Sequence, residues 1–286
     1  VTAKSAAAAA SDILDAGDFV VVLVGDASVV EPQLQATGLK YEKLAFADSI
    51  SKYEREAPPV PTDAKSIAAG KKIIADALAA KGGEAKLAAI QDMTIEASGT
   101  LTAEGQARPL PATIKRSYAA PDKVRVDLDI AGGQYKATFT VAGGVGWASE
   151  QGSTVDLPAD QIETLEIQRW HDHELILLRS KEAGAKVARL PDESVDGVAY
   201  DVVWIERADG KIGVKIYVDK KTHLLARMAY VEDGAKTVEE FSDYKPIDGV
   251  QVAHKRITAA PQTSSEVTLV KVVINGKIDA AVFNKP

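Results

Sequence analysis

Alternation between apolar and polar side chains is the feature that most constrains how this sequence can fold. Residues 124–130 and 212–218 each place an apolar side chain at every second position, as in a β-strand with one face turned to solvent. The pattern predicts about ten antiparallel strands in a sandwich, a barrel or one large curved sheet. Turn dipeptides separate the strand-like segments: Pro121-Asp122, Gly132-Gly133, Gly143-Gly144, Asp196-Gly197, Asp209-Gly210, Asp233-Gly234, Asp248-Gly249 and Asn275-Gly276.

Two segments interrupt the strand pattern with helical periodicity. Thr62 or Asp63 can cap a helix that carries Ile73, Ile74, Ala77 and Leu78 and ends at Gly82-Gly83, before a shorter helix with Leu87 and Ile90. The segment from Leu157 to Ala183 begins with Pro158 and predicts one or two further apolar helices. These helices are expected to close one side of the sheet, so the predicted fold class is α+β.

The first fifty residues differ in character from the rest. Thr2 can cap an alanine-rich helix that ends near Leu14, and residues 19–24 form an apolar run typical of a strand buried on both faces. A short helix over 31–36 and an extended segment over 41–46 follow. Residues 1–49 are therefore predicted to be a small α/β fragment without a complete core of its own. Because no initiator Met precedes Val1, we interpret this end as a cut end.

A proline-rich stretch marks the expected domain boundary. Residues 50–65 contain three prolines and mixed charge, which indicates a semi-rigid linker between residues 1–49 and a larger domain over 66–286.

Composition excludes several kinds of partner and chemistry. The net charge of −7 and the lack of a basic block argue against binding to nucleic acid or to an anionic membrane surface. The sequence has no cysteine, which excludes disulfides, thiolate zinc sites and a cysteine nucleophile. No apolar run reaches the roughly 18 residues of a transmembrane helix.

One cluster combines residue types that bind metals. His171-Asp172-His173-Glu174 offers imidazole and carboxylate groups, but it matches neither H-E-x-x-H nor H-x-x-E-H. If the segment is helical, residues two apart point about 200° from each other, so His171 and His173 could not share one ion. We therefore favour a polar junction between helices over a metal site, and we predict no catalytic residue in this chain.

A set of apolar residues has two interpretations. They either form an ordinary close-packed core or line a cavity between the sheet and the helices of 66–91 and 157–183. The set comprises Trp147, Leu165, Leu175, Leu178, Trp204, Val214, Ile216 and Met228.

Residues 1–49 resemble the end of an insulinase/pitrilysin-type zinc metalloprotease domain. The likeness lies in Val1-Thr2-Ala3 and Asp15, the run Val20–Asp26, Glu31-Pro32-Gln33-Leu34, and Gly38. The H-x-x-E-H zinc motif of that family is absent from this sequence. The resemblance implies a non-catalytic C-terminal region of an exported metallopeptidase, with any zinc in an upstream domain and the upstream protease domains as partners.

Residues 66–286 resemble the outer-membrane lipoprotein sorting (LolA-like) family. The resemblance implies a curved antiparallel half-barrel, closed by helices around an apolar cavity that holds lipid acyl chains in the sorting members. It rests on Lys81-Gly82-Gly83, Ala120-Pro121-Asp122-Lys123-Val124-Arg125, Gly144-Val145-Gly146-Trp147, Val218-Asp219, Thr222-His223-Leu224-Leu225, Asp243–Val250 and the ending 272–286.

Together these patterns lead to two functional hypotheses, beside the less favoured one of a catalytic chain with a metal at His171 and His173. In the first, the larger domain binds an apolar ligand, such as an acyl chain or a lipidated or extended apolar peptide. In the second, it is a scaffold that positions a protease unit or docks a partner without binding lipid. Both resemblances imply an exported bacterial protein of the periplasm or outer membrane, and no cofactor is expected in this chain.

Overall fold

The chain separates into two compact units, residues 1–48 and 49–286. The computed structural model describes residues 23–44, 60–103, 105–106, 108–232, 235–260 and 263–286. The predicted linker over 50–65 lies largely outside the described residues. Its last two residues, Ala64 and Lys65, belong to a helix instead.

The first unit contains helix α1, which spans Ala27–Thr37. Asp26 caps its start, because the carboxylate accepts a hydrogen bond from the Ser28 backbone N–H at 2.8 Å. The helix ends at Gly38, whose φ of 68° lies in the left-handed region that glycine adopts without strain. The predicted helix over 31–36 is therefore present and begins earlier, at Ala27.

The doubly buried strand predicted over 19–24 is wrong for the residues that the structure describes. Leu23 and Val24 are exposed and lie outside any strand. Residues 41–44 also lie outside any strand. No described strand of this unit pairs with them, and an isolated extended segment gains no ladder hydrogen bonds. The predicted helix from Thr2 to Leu14, residues 19–22 and residues 45–46 lie outside the described part of the chain.

Thirteen antiparallel strands form one open, curved sheet in the second unit. The prediction of about ten strands was too low. Short strands such as Ser153–Asp156 have too few residues to show an apolar alternation. The strands are β1 (Asp92–Ala103), β2 (Leu110–Ala119), β3 (Lys123–Ile130), β4 (Tyr135–Ala142), β5 (Val145–Glu150), β6 (Ser153–Asp156), β7 (Lys186–Val195), β8 (Val198–Glu206), β9 (Gly213–Asp219), β10 (Leu225–Glu232), β11 (Ala235–Ile247), β12 (Val250–Ala259) and β13 (Thr263–Ile274).

The strand order shows how the two halves of the sheet are joined. Strands β1 to β6 run outward as one meander and β7 to β13 return as another, in the order β6-β5-β4-β3-β2-β1-β13-β12-β11-β10-β9-β8-β7. The long pair β1 and β13 joins them at the centre, from Met93 opposite Ile274 to Ala103 opposite Thr263. The connection from β6 to β7 therefore starts at one edge of the sheet and ends at the other.

Four α-helices accompany the sheet in the described part of the second unit. They are α2 (Ala64–Lys81), α3 (Glu84–Ala88), α4 (Ala159–Trp170) and α5 (Ile176–Arg179). Asp63 caps α2 by accepting a hydrogen bond from the Ser66 N–H at 2.9 Å, as one of the two predicted caps requires. Helix α2 lies so close to edge strand β7 that a Cβ at Gly70 would come within 2.8 Å of the Ala188 backbone.

The core lies on one side of the sheet. We call this side the inner face, because side chains of α2, α3 and α5 pack on it, and the opposite side the outer face. Val214, Ile216 and Met228 on the inner face are 0% exposed and belong to the same cluster as Leu78 and Ile176 of the helices. At roughly 1.5–3 kcal/mol for each fully buried apolar side chain, this cluster is the main source of stability.

The C-terminal segment crosses the outer face. A 3-10 helix at Ala280–Phe283 lies over β3 to β5, where Arg125 donates to the Val282 carbonyl at 2.8 Å. The Trp147 indole N–H donates to the Phe283 carbonyl at 3.2 Å. The Phe283 side chain is buried, so this segment covers a part of the outer face that would otherwise be exposed.

Replacing Phe283 with alanine is expected to lower the free energy of unfolding by about 2 kcal/mol, less than for a central core residue, because the segment can detach. Urea denaturation measures the loss. The matched control is Lys285→Ala, which removes only an exposed ion pair to Asp156 and should change stability by about 0.5 kcal/mol or less. Equal losses in the two variants would contradict the packing role of Phe283.

Candidate functional site

The connection between β6 and β7 brings a polar turn onto the inner face. Helix α4 ends at Trp170 and α5 begins at Ile176, and between them His171, Asp172, His173 and Glu174 are each 3% exposed or less. The segment is a turn, so the helical geometry assumed for His171 and His173 is wrong. The predicted polar junction between helices is present, and its four polar side chains are buried.

Arg179 fixes the end of α4 and therefore the start of the turn. Its guanidinium donates to the carbonyl oxygens of Trp170 and Arg169 at 3.1 and 3.2 Å. These carbonyls are among those left without partners when a helix ends. The turn is thus held from both of its flanking helices.

Two ion pairs tie the turn to the sheet. Asp172 pairs with Arg116 of β2, and Glu174 pairs with Arg256 of β12. The Glu174 backbone N–H also donates to Asp172 Oδ1 at 2.9 Å, which couples the two pairs. Burial alone would raise the pKa of Glu174, but the positive charge of Arg256, the hydrogen bond with His173 and the more distant charge of Lys81 hold that pKa well below its ordinary value.

His173 lies between the turn and strand β11. Its Nε2 is 2.9 Å from the Tyr244 hydroxyl, which itself donates to the Leu225 carbonyl at 2.5 Å. Lys81, at the end of α2, donates to the His173 carbonyl at 3.1 Å from a fully buried position. Burial and then the charge of Lys81 lower the pKa of His173 to about 3.

His171 is held by ring contacts. It stacks on Tyr230 with ring centres 3.9 Å apart and meets Trp170 edge to face at 5.3 Å. Neither ring nitrogen makes a hydrogen bond of standard geometry to a described residue, although the Gly213 backbone slightly favours the protonated ring. Burial dominates and lowers the pKa of His171 to about 4.

A cavity of about 410 Å³ lies beside the turn, between the inner face and α4. This volume is within the range of small-ligand sites. Ile114, Val126, Phe139 and Leu165 line it and remain only half-buried, unlike the side chains of the main core. The cavity therefore has an apolar wall that no described side chain fills.

The remaining lining of the cavity is polar and charged. Arg116, Arg169 and Arg256 line it together with Asp172 and Glu239. The Tyr230 hydroxyl donates to Glu239 at 2.8 Å, and burial raises the pKa of Glu239. The cavity is thus amphipathic, with an apolar wall and a charged end at the turn.

The eight apolar residues predicted to line a cavity are distributed over three places. Val214, Ile216, Met228 and Leu175 belong to the close-packed core, with Leu178 partly buried at its border. Only Leu165 lines the cavity.

The two tryptophans of that set lie on the outer face, apart from the other six. Trp147 is opposite Thr140, in the row of Arg125, and contacts the C-terminal segment. Trp204 packs with Tyr200 and Tyr217 in a small second cluster, and its indole donates to Glu206 at 3.2 Å.

The described residues contain neither a metal-binding constellation nor a membrane-spanning helix. No group of three or more His, Asp or Glu side chains among them could hold a metal ion. His171 and His173 instead contact different aromatic residues, Tyr230 and Phe241. Within the same residues, no helix is long and apolar enough to cross a membrane.

Sequence reasoning missed Arg116 and Arg256. Both occupy inner-face positions of strands: Arg116 follows Ile114 and precedes Tyr118 at alternate positions of β2. A charged side chain in the apolar phase of a strand is uncommon, because burying it requires a partner of opposite charge. An arginine at a position where the alternation places apolar residues was the feature of the sequence that could have indicated these two residues.

Comparison with known proteins shows the fold of the chain. No protein-family model matches it, and no curated protein is significantly similar to it in sequence. The LolA superfamily protein of Nitrosomonas europaea superposes with a TM-score of 0.50 at 12% identity, covering 76% of this chain and 97% of its own. A DUF1329 family protein of Desulfovibrio piger gives a TM-score of 0.49 at 13% identity, over 77% and 97%.

Of these comparisons, the one with a TM-score of 0.50 shows a LolA-like fold, because at 12% identity only the fold is comparable. The comparisons provide no support for the resemblance of residues 1–49 to an insulinase-type peptidase.

Proposed function

We propose that the chain binds an apolar ligand, such as an acyl chain or a lipidated or extended apolar peptide, in the cavity beside the turn. The supporting observation is the half-buried apolar wall formed by Ile114, Val126, Phe139 and Leu165. Apolar side chains that face an unfilled space lose contacts, and a ligand that fills the space restores them.

The same proposal gives the chain a non-catalytic role without a cofactor. The charged groups around the turn form ion pairs with one another, as expected of groups that hold a structure together. We also propose a place in the bacterial periplasm or at the outer membrane, which the LolA-like fold supports. A role beside upstream protease domains rests only on the resemblance of residues 1–49.

Uptake of a fluorescent fatty-acid analogue tests the proposal. The wild-type chain is expected to bind the probe, and Val126→Trp, which fills the cavity, should weaken binding at least about tenfold. The matched control Val270→Trp places the same side chain at an exposed position of β13 and should bind like wild type. Thermal melts verify that both variants fold.

If wild type takes up no apolar probe, ligand binding is excluded for this cavity and the scaffold hypothesis replaces it. If Val126→Trp and Val270→Trp bind equally well, the ligand site lies elsewhere on the chain.

A further inference from the structure

The charged end of the cavity indicates which class of apolar ligand it accepts. We propose that the ligand is an amphiphile with an anionic head group, whose chain lies along the apolar wall and whose head group is held at Arg116. The inference rests on the proposed function and makes it more specific.

Arg116 lies in line with the apolar wall of the cavity. Arg116, Val126 and Phe139 are direct cross-strand neighbours on β2, β3 and β4, all on the inner face. The guanidinium-bearing residue and the apolar wall therefore form one continuous row. A ligand lying along this row places its end next to the Arg116 side chain, which is 23% exposed, whereas its partner Asp172 is 1% exposed.

The charged side chains around the cavity and the turn are unevenly paired. Arg116 and Arg256 are balanced by Asp172 and Glu174, and Arg169 is balanced by Glu166. The buried ammonium of Lys81 donates only to a carbonyl, and no carboxylate of a described residue lies within ion-pair distance of it.

Glu239 is the second carboxyl group of the cavity lining, beside Asp172. It accepts a hydrogen bond from Tyr230, and burial raises its pKa, which favours its neutral form. Three arginines, but only two carboxyl groups, thus line the cavity among the described residues. Such a lining favours an anionic partner with charge-assisted hydrogen bonds.

Binding of myristic acid, its methyl ester and acetate to the full chain at neutral pH tests the inference. Myristate is expected to bind roughly tenfold more tightly than the ester of the same chain, since only the acid offers a charged acceptor. Acetate, which has the head group without the chain, should not displace myristate at equal concentration. Displacement by acetate would show a simple anion site and would overturn the inference.

A paired variant locates the head group. Arg116→Gln combined with Asp172→Asn removes one charge of each sign and keeps hydrogen-bonding groups in both places. It should lose the preference for myristate and retain binding of the ester. The control Lys115→Gln removes a cation from the adjacent, exposed position on the outer face and should keep the preference.

The outcomes separate the two proposals. If the ester binds wild type as tightly as the acid, the anionic ligand is excluded while apolar binding stands. If the paired variant keeps the preference, the head group is not held at Arg116 and the inference is overturned. If neither the acid nor the ester binds, the proposed function itself fails.

Discussion

Replacing Arg256 with methionine is expected to lower the free energy of unfolding by about 3–5 kcal/mol, because it leaves Glu174 as an unpaired charge inside the protein. The Glu174 side chain is 1% exposed, so water cannot replace the lost guanidinium without opening the structure. Its remaining contact, with His173 Nδ1 at 3.2 Å, supplies no full positive charge while burial holds the imidazole neutral. Denaturant-induced unfolding measures the loss.

A second variant distinguishes the unpaired charge from a simple loss of packing. Arg256→Met combined with Glu174→Leu removes both charges, and it should recover most of the stability, because apolar pairs often replace buried ion pairs without cost. Lys255→Met is the matched control on the same strand, where an exposed pair to Glu266 is expected to contribute about 1 kcal/mol or less. If Arg256→Met is no less stable than Lys255→Met, the turn is not held by this ion pair.

Acidification is expected to remove about 3 kcal/mol of stability through His171 alone between pH 7 and pH 4. The pKa of histidine is about 6.5 in the unfolded chain, and burial lowers the pKa of His171 to about 4 in the folded chain. Because the folded chain binds this proton less readily, the contribution is complete above the unfolded-state pKa. It is lost as the pH falls through the folded-state pKa.

His171→Phe isolates this contribution from those of other titrating groups. Phenylalanine keeps the ring contact with Tyr230 and carries no titrating group, so its stability should fall less than that of wild type over the same pH interval. His223→Asn, a change at an exposed histidine, is the matched control for the loss of one histidine. Parallel stability curves for wild type and His171→Phe would show that His171 does not titrate as a buried group.

The sequence predicted those helices and strands whose capping residues, apolar periodicity and turn residues all indicate the same element. Asp63 and Gly82 bound α2 as expected, and the alternation over 124–130 became strand β3. The face of a strand was less predictable where apolar residues occupy both phases. Val202, Val203 and Trp204 are consecutive in β8, so a period of two could not show that Trp204 faces outward.

The ion pairs of the site could not be predicted from local sequence patterns. Glu174 and Arg256 are 82 residues apart, and only the edge-to-edge connection from β6 to β7 brings them together. The residue types of the turn predicted a polar junction between helices but gave no sign of its burial, since charged side chains are mostly exposed. Asp172 and Glu174 are buried because strands of the sheet place Arg116 and Arg256 opposite them.

An open sheet leaves two strands with unpaired backbone groups, and in this molecule both are poor templates for a further strand. Strand β7 carries Pro191 and an irregularity after Leu190, and α2 lies against its backbone. Strand β6 has only four residues, and Lys285 reaches across to its Asp156. Prolines, bulges, charges and short length all discourage edge-to-edge association between molecules. Both edge strands thus disfavour aggregation, although the sheet does not close into a barrel.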